Sequence, residues 1–199
     1  PAGCFGLTET GAGSDPASMR TTAVLAGDQW VLNGQKIFIS SAEYGGVFVV
    51  WAVTDKDAPK GKGISAFLVE PTFPGFTVGK DETKLGQNGS STNELIFEDC
   101  RVPEDNMLGK LNDGYRIAVA ELAGGRIGIG SLALGIGLAA MDFATGYAKE
   151  RVQFGTAIAN QQAIQWMIAD HYTRLEAARL LLLRAAFLKD QGKNYAKEA

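Results

Sequence analysis

Histidine occurs once in this chain of 199 residues, cysteine twice and proline six times. One histidine and two distant cysteines, Cys4 and Cys100, offer neither metal-ligand spacing nor a disulfide framework, and a reducing compartment is the expected home. Runs of like charge are missing as well. A net charge of −3 with no basic stretch argues against nucleic acid as the main partner and against an anionic membrane surface. No long hydrophobic run is present: the most apolar window, Ile127–Met141, lies between Arg126 and Asp142 and is predicted to be too short for a bilayer. The chain opens at Pro1 with neither a methionine nor a charged-then-apolar leader, so no secretion signal is expected, and the natural amino terminus is expected upstream. What is plentiful is apolar side chain, 46% of the residues, enough for a real core in one domain or two small ones.

The text changes character near residue 105. Before it, Thr22–Ala26 and Trp30–Leu32 flank a Gly27-Asp28 turn, and Asn33-Gly34 sits between two alternating runs, the strongest short hairpin signal available. In Gln35–Ser40 the alternation puts Ile37 and Ile39 on one face and Lys36, Phe38 and Ser40 on the other. Val47–Val53 is continuous enough for a strand buried on both faces, and Ile64–Val69, Phe76–Val78 and Glu94–Phe97 complete a set of short strands. Such spacing predicts an antiparallel β-barrel or sandwich over residues 1–105. From Gly114 the period becomes helical: a short amphipathic piece at Tyr115–Leu122, then Ala133–Arg151, a break at Gly155-Thr156, and Ile158–Leu188 with Ile164, Ile168, Leu175 and Leu182 along one stripe. Residues 106–199 are therefore expected to be part of an up-and-down helical bundle whose other helices lie outside the chain, which makes the whole an α+β fragment with its β and α parts in sequence.

The stretch Cys4–Asp15, CFGLTETGAGSD, carries the chemistry. An apolar strand end runs into hydroxyls and near-adjacent glycines, which let a ligand approach the backbone closely. It is not a dinucleotide fingerprint, since Pro16 stands where the third glycine belongs, and no Gly-Lys-Ser/Thr follows to make a P-loop. By itself it is equally a glycine-bearing surface turn.

That stretch resembles the T-E-x-G-x-G-S-D signature of the acyl-CoA dehydrogenase family. Further motifs follow in the family's order: LNGQKIFISSA at 32–42, KGISAFLVE at 62–70, KLGQNGSSTNELIFEDCRVP at 84–103, GGRIGIGSLALGIG at 124–137 and ERVQFGTAIANQQAIQWMIAD at 150–170. The short-chain, butyryl-type branch is the most similar. The resemblance implies an N-terminal helical domain, a middle β-barrel and a C-terminal four-helix bundle, of which this chain holds the second and part of the third. It implies FAD-dependent α,β-dehydrogenation of an acyl-CoA thioester within fatty acid β-oxidation, in the bacterial cytoplasm or the mitochondrial matrix. An electron-transferring flavoprotein is the implied acceptor, and a homotetramer, a dimer of dimers, the implied assembly.

Residue by residue, the resemblance sets Phe5, Leu7 and Thr8, and then Phe38, Ile39 and Ser40, against the flavin ring, with Phe38 where many members carry tryptophan. Arg151, Gln153, Phe154 and Gln162 match positions that reach the pyrophosphate and adenosine of a neighbouring subunit's FAD; Lys149 and Arg151 read equally as complements to a helix end that Gly155 stops. Gly13, Ser14 and Arg126 match positions near the acyl-CoA. Ala123 and Gly61 depart from the family's usual aspartate and asparagine, so CoA is expected to be held differently here. The catalytic base is expected beyond Ala199; a minority place it at the position of Gly125, and Glu9 is not the family's base. His171 is expected to pack along the apolar seam of the last helix. Two other readings stand beside this one: a flavin oxidase or non-catalytic CoA-binding relative on the same fold, and an oligomerisation module.

Overall fold

Short alternating runs build the first part of the chain as one open, mixed sheet. The computed structural model describes residues 2–199. Its strands are β1 (Ala2–Gly6), β2 (Thr22–Ala26), β3 (Gln29–Ser40), β4 (Gly45–Val53), β5 (Ile64–Val69), β6 (Phe76–Asp81), β7 (Thr92–Pro103) and β8 (Met107–Leu108). They lie in the order β6-β7-β3-β2-β4-β5-β8, with β1 paired to β4 in parallel, Cys4 beside Phe48 and Gly6 beside Val50. The β-domain expected as an antiparallel barrel or sandwich is present, but its sheet is open and mixed, not a closed barrel. Among the described residues no ladder joins β6 to β8, and β1 and the single Thr22–Val53 pair of β2 and β4 run parallel. Alternation records which face a side chain takes, not the direction of the neighbouring strand.

Asn33-Gly34 is not a turn. It lies inside β3, which runs unbroken where two strands are predicted, and the hairpin is made at Gly27-Asp28. The dipeptide marks a register shift against β7: the Asn33 amide donates to Asp99 Oδ1 at 3.0 Å, and Asp99 N donates back to Asn33 Oδ1 at 2.9 Å. Gly34 has φ +145°, and a Cβ there would stand 2.7 Å from Thr21 Cα, so close backbone approach demands the glycine.

One face of the sheet packs Leu32, Phe48, Val50, Phe67, Leu95 and Val102 without exposure, with Phe76 set between Phe48 (4.8 Å) and Phe97 (5.4 Å). A second cluster gathers Leu7, Ala12, Met19, Trp51, Ile64, Ala66 and Ala118. Trp51 is its pivot: its ring lies 4.6 Å from Phe5, and its Nε1 donates to Gly114 O at 2.7 Å. The Cys4–Asp15 stretch and the start of the first helix are thus anchored on the same side chain. Both cysteines are free and buried, and burial pushes the Cys100 thiol up to about 11.

By its internal contacts the chain divides into one unit ending at Val119 and another, Ala120–Ala199. The predicted short piece and first long helix are one helix, α1 (Gly114–Glu150), and α2 spans Gln162–Asp190 after a single 3₁₀ turn at Ile158–Asn160. Glycine costs about 1 kcal/mol per residue inside a helix relative to alanine, which is why the Gly-rich text of 124–137 reads as a break. Packing explains the continuity. A Cβ on Gly130 would meet Leu182 at 2.8 Å and one on Gly137 would meet Leu175 at 2.7 Å, so these glycines admit the leucines of the antiparallel α2. As one continuous helix, α1 is long and apolar enough to cross a bilayer by length and composition, a test that the core helix of a soluble protein also meets. Ile164, Ile168, Leu175 and Leu182 are half-buried as a stripe, and His171, solvent-exposed with its Nδ1 2.6 Å from Met167 O, lines an apolar groove with Ile164, Ile168, Met141 and Tyr147, on the seam as expected.

Candidate functional site

Leu7 follows β1 into the core, and the chain then folds back on itself. Glu9 and Ala12 exchange backbone hydrogen bonds (3.2 and 3.0 Å), so Thr10-Gly11 is a tight turn. The Glu9 side chain points inward and accepts from three donors: Arg20 N at 2.6 Å, Thr21 N at 3.0 Å and Lys36 Nζ at 2.7 Å. Lys36 is fully buried and also donates to Leu7 O at 3.2 Å. Burial alone would raise the Glu9 carboxyl; the Lys36 charge and hydrogen bond, with those from Thr21 and Arg20, outweigh it and hold the group below its ordinary range. A carboxylate so engaged is structural and not free to take a proton.

Beside it lies the second candidate segment. Ile37 N donates to Thr8 O at 2.9 Å, which sets residues 5–8 against residues 36–40. The β3–β7 register slips between Lys36 and Ile39, and Phe38 sits at φ +58°, a left-handed conformation that a bulky residue adopts at a cost of order 1–3 kcal/mol. This kink corrects the expected alternation: Lys36 and Ile39 are buried while Phe38 is 61% exposed and Ser40 exposed. Of the predicted ring contacts, Leu7 and Ile39 have their side chains in the core and offer backbone only, and Phe5 is half-buried with its ring against Trp51. Phe38 and Ser40 are exposed and Thr8 is half-buried beside them.

The glycines at 11 and 13 have no role inside the protein. A Cβ on either would meet nothing within 4 Å, and neither has positive φ. The space above them is open. Gly13 and Ser14 are exposed, with Asp15 next to them bonded to Ser18 Oγ (2.6 Å) and paired with Lys60. Arg20, Lys56 and Lys60 rim a neighbouring groove of about 490 Å³ that Met19, Val53 and Ile64 also line.

The remaining candidates belong to the second unit. Arg126 is exposed on α1, and Gln162 is exposed at the first turn of α2. Arg151 follows α1 directly, and its carbonyl accepts from Ile158 N at 2.8 Å, closing the small hairpin β9 (Val152–Gln153) and β10 (Thr156–Ala157). Phe154 (φ +54°) and Gly155 (φ +77°) are the turn residues. Gly155 therefore makes a hairpin, not the helix stop expected of it. Phe154 is left-handed and 95% exposed, and Arg151 has no ion-pair partner among the described residues. The left-handed backbone at Phe154 and Gly155 is what a two-residue hairpin turn demands, and it leaves the Phe154 ring in solvent.

Reading by residue type missed Glu9 and Lys36 as a pair. The available signal was a lysine inside an otherwise apolar strand that follows a glutamate-bearing glycine loop.

The sequence family described as acyl-CoA dehydrogenase, middle domain, matches residues 4–100, and acyl-CoA dehydrogenase, C-terminal domain, matches residues 112–199. The chain is 52% identical over 197 residues to the short-chain specific acyl-CoA dehydrogenase, mitochondrial, of Homo sapiens, covering 99% of this chain and 48% of that protein. It is 51% identical over 200 residues to the acryloyl-CoA reductase (NADH) of Anaerotignum propionicum, covering 99% of this chain and 50% of that one. The structure of butyryl-CoA dehydrogenase from Megasphaera elsdenii superimposes with a TM-score of 0.94 at 44% identity, over 98% of this chain and 51% of that chain. The chain thus spans about half the length of the relatives it matches.

Proposed function

Since the chain belongs to the acyl-CoA dehydrogenase family, we propose that the full-length protein desaturates a short-chain acyl-CoA thioester between its α and β carbons with FAD as its cofactor. The observation that carries the reading is the junction of the two segments through the Ile37 N to Thr8 O bond, which brings Thr8, Phe38 and Ser40 into one neighbourhood.

The residues present fit a flavin. The donor set is an aromatic face and two hydroxyls on kinked backbone, and an open space above Gly11 and Gly13 admits a second ligand beside it. Phe5, Leu7 and Thr8, with Phe38, Ile39 and Ser40, would hold the isoalloxazine, and Arg151, Gln153, Phe154 and Gln162 the pyrophosphate and adenosine of FAD in a neighbouring subunit. When bound, FAD accepts the hydride that leaves the β-carbon. Thr8 and Ser40 would offer their hydroxyls as donors to the ring edge and stabilise negative charge there, the same logic as an oxyanion hole. Gly13 and Ser14 would lie against the thioester portion, and Arg20, Lys56 and Lys60 suit the phosphates of CoA; Arg126, in the second unit, is assigned to acyl-CoA binding by its match to the family position. Glu9 is engaged by Lys36, and the α-proton is assigned to a carboxylate in the half of the enzyme outside this chain. We read α1 and α2, with their exposed apolar faces, as helices of an incomplete bundle; the proposed electron acceptor is an electron-transferring flavoprotein and the proposed assembly a homotetramer.

The relative named acryloyl-CoA reductase supports a second direction, the same two hydrogens added instead of removed. Reductive and oxidative turnover with acyl-CoA and enoyl-CoA would distinguish them.

In the full-length enzyme, Thr8→Val and Ser40→Ala are expected to lower the flavin reduction potential and slow reduction by acyl-CoA, and Ser14→Ala chiefly to raise the acyl-CoA dissociation constant. Reductive titration and ligand binding followed by flavin absorbance check this; parent values in all three variants would reduce the loop to a turn. Arg151→Ala is expected to weaken FAD retention by about 1–3 kcal/mol, the worth of a charge-assisted contact. Titration calorimetry on the flavin-stripped enzyme measures it, and unchanged affinity removes Arg151 from the site.

A further inference from the structure

We propose that Lys36 is a positioning residue for the flavin, its buried ammonium fixing the Leu7-Thr8 backbone so that the Thr8 and Ser40 segments are preset before any ligand arrives. The inference rests on the flavin-binding reading above and adds a residue that touches neither flavin nor substrate.

The geometry is a closed set of links. Lys36 Nζ reaches Leu7 O at 3.2 Å and Glu9 Oε1 at 2.7 Å, so it holds the backbone before Thr8 and the side chain after it. Thr8 O in turn takes the amide of Ile37, the residue after Lys36. The same Glu9 carboxylate takes the Arg20 and Thr21 amides, which ties the return of the Gly-rich loop to the same point. Lys36 begins the segment whose next residues are kinked Phe38 and exposed Ser40. One side chain therefore joins both flavin-facing stretches.

A buried ion pair is weak support for stability as such, because desolvation offsets much of its attraction, and neutral replacements of both partners are often tolerated. Its persistence here has another explanation. An ammonium is the smallest group that donates in several directions at once, and two acceptors on opposite sides of Thr8 need that. Preset hydrogen-bond donors at a cofactor avoid reorganisation when it binds.

The test uses the full-length holoenzyme. In Glu9→Gln/Lys36→Met the charge pair is gone and the donor to Leu7 O with it; Glu9→Gln alone keeps that donor. The double variant is expected to raise the FAD dissociation constant at least tenfold and to shift the flavin absorption band and reduction potential, while Glu9→Gln changes the constant less than threefold. A folded double variant with the parent's spectrum, potential and FAD affinity would overturn the proposal. A second measurement needs no variant: the Arg20, Thr21 and Ile37 amides are expected to exchange slowly in flavin-stripped enzyme. Exchange at open-loop rates there, slowed only by FAD, would show that the flavin builds the site and overturn the proposal. A parent enzyme that binds no FAD would overturn the function and this inference together, whereas bound FAD with unmoved variants would sink this inference alone.

Discussion

Replacing Lys36 by methionine alone is expected to destabilise the full-length enzyme by about 3–5 kcal/mol, the range for removing one partner of a buried ion pair. Methionine fills the space of the lysine stem, so no cavity forms. The cost comes from Glu9, 8% exposed, left as a carboxylate with only the Arg20 and Thr21 amides to hold it, and from Leu7 O losing its donor. The carboxyl has a way to relieve itself by taking a proton, so its held-down titration should rise on substitution. Adding Glu9→Gln should recover much of the stability. Denaturant unfolding at fixed protein and FAD concentration measures both; a double variant as unstable as the sum of the singles would mean that the two groups do not interact.

Gly34→Ala is expected to cost about 3 kcal/mol or more, combining overpacking with a backbone conformation that side chains resist. The added methyl carbon would stand 2.5 Å from Thr21 Oγ1 and 2.7 Å from Thr21 Cα, and the second of these is backbone that cannot rotate away. Relief requires Thr21 to retreat, and its amide then leaves Glu9. The substitution should therefore lower the unfolding midpoint and loosen FAD together. Gly13→Ala is the contrast: nothing lies within 4 Å of its Cβ, so stability should change by under about 0.5 kcal/mol. Equal midpoints for Gly34→Ala and the parent would show that β2 and β3 do not press together there.

Local pattern was sufficient wherever the deciding forces are local. β2 and β5 fall on the predicted residues, Thr22–Ala26 and Ile64–Val69, because an alternating run flanked by turn residues has one good conformation. The apolar stripe of α2 was visible for the same reason, and the ordered motifs from Cys4 to Asp170 were enough to indicate the family.

Partners distant in sequence decided the rest. Asn-Gly serves a hairpin and a mid-strand bulge equally well, and here Asp99 and Thr21, from other strands and loops, choose the bulge. The glycines of α1 argue against a continuous helix until Leu175 and Leu182 occupy the grooves they leave. Lys36 reads as an exposed strand residue because nothing near it in sequence reveals the slip at Phe38 or the arrival of Glu9 from the loop after β1. A charge can be buried only where its counter-charge and acceptors are brought by the fold. The pair that joins residues 7–9 to residues 36–37 was therefore settled by tertiary structure alone.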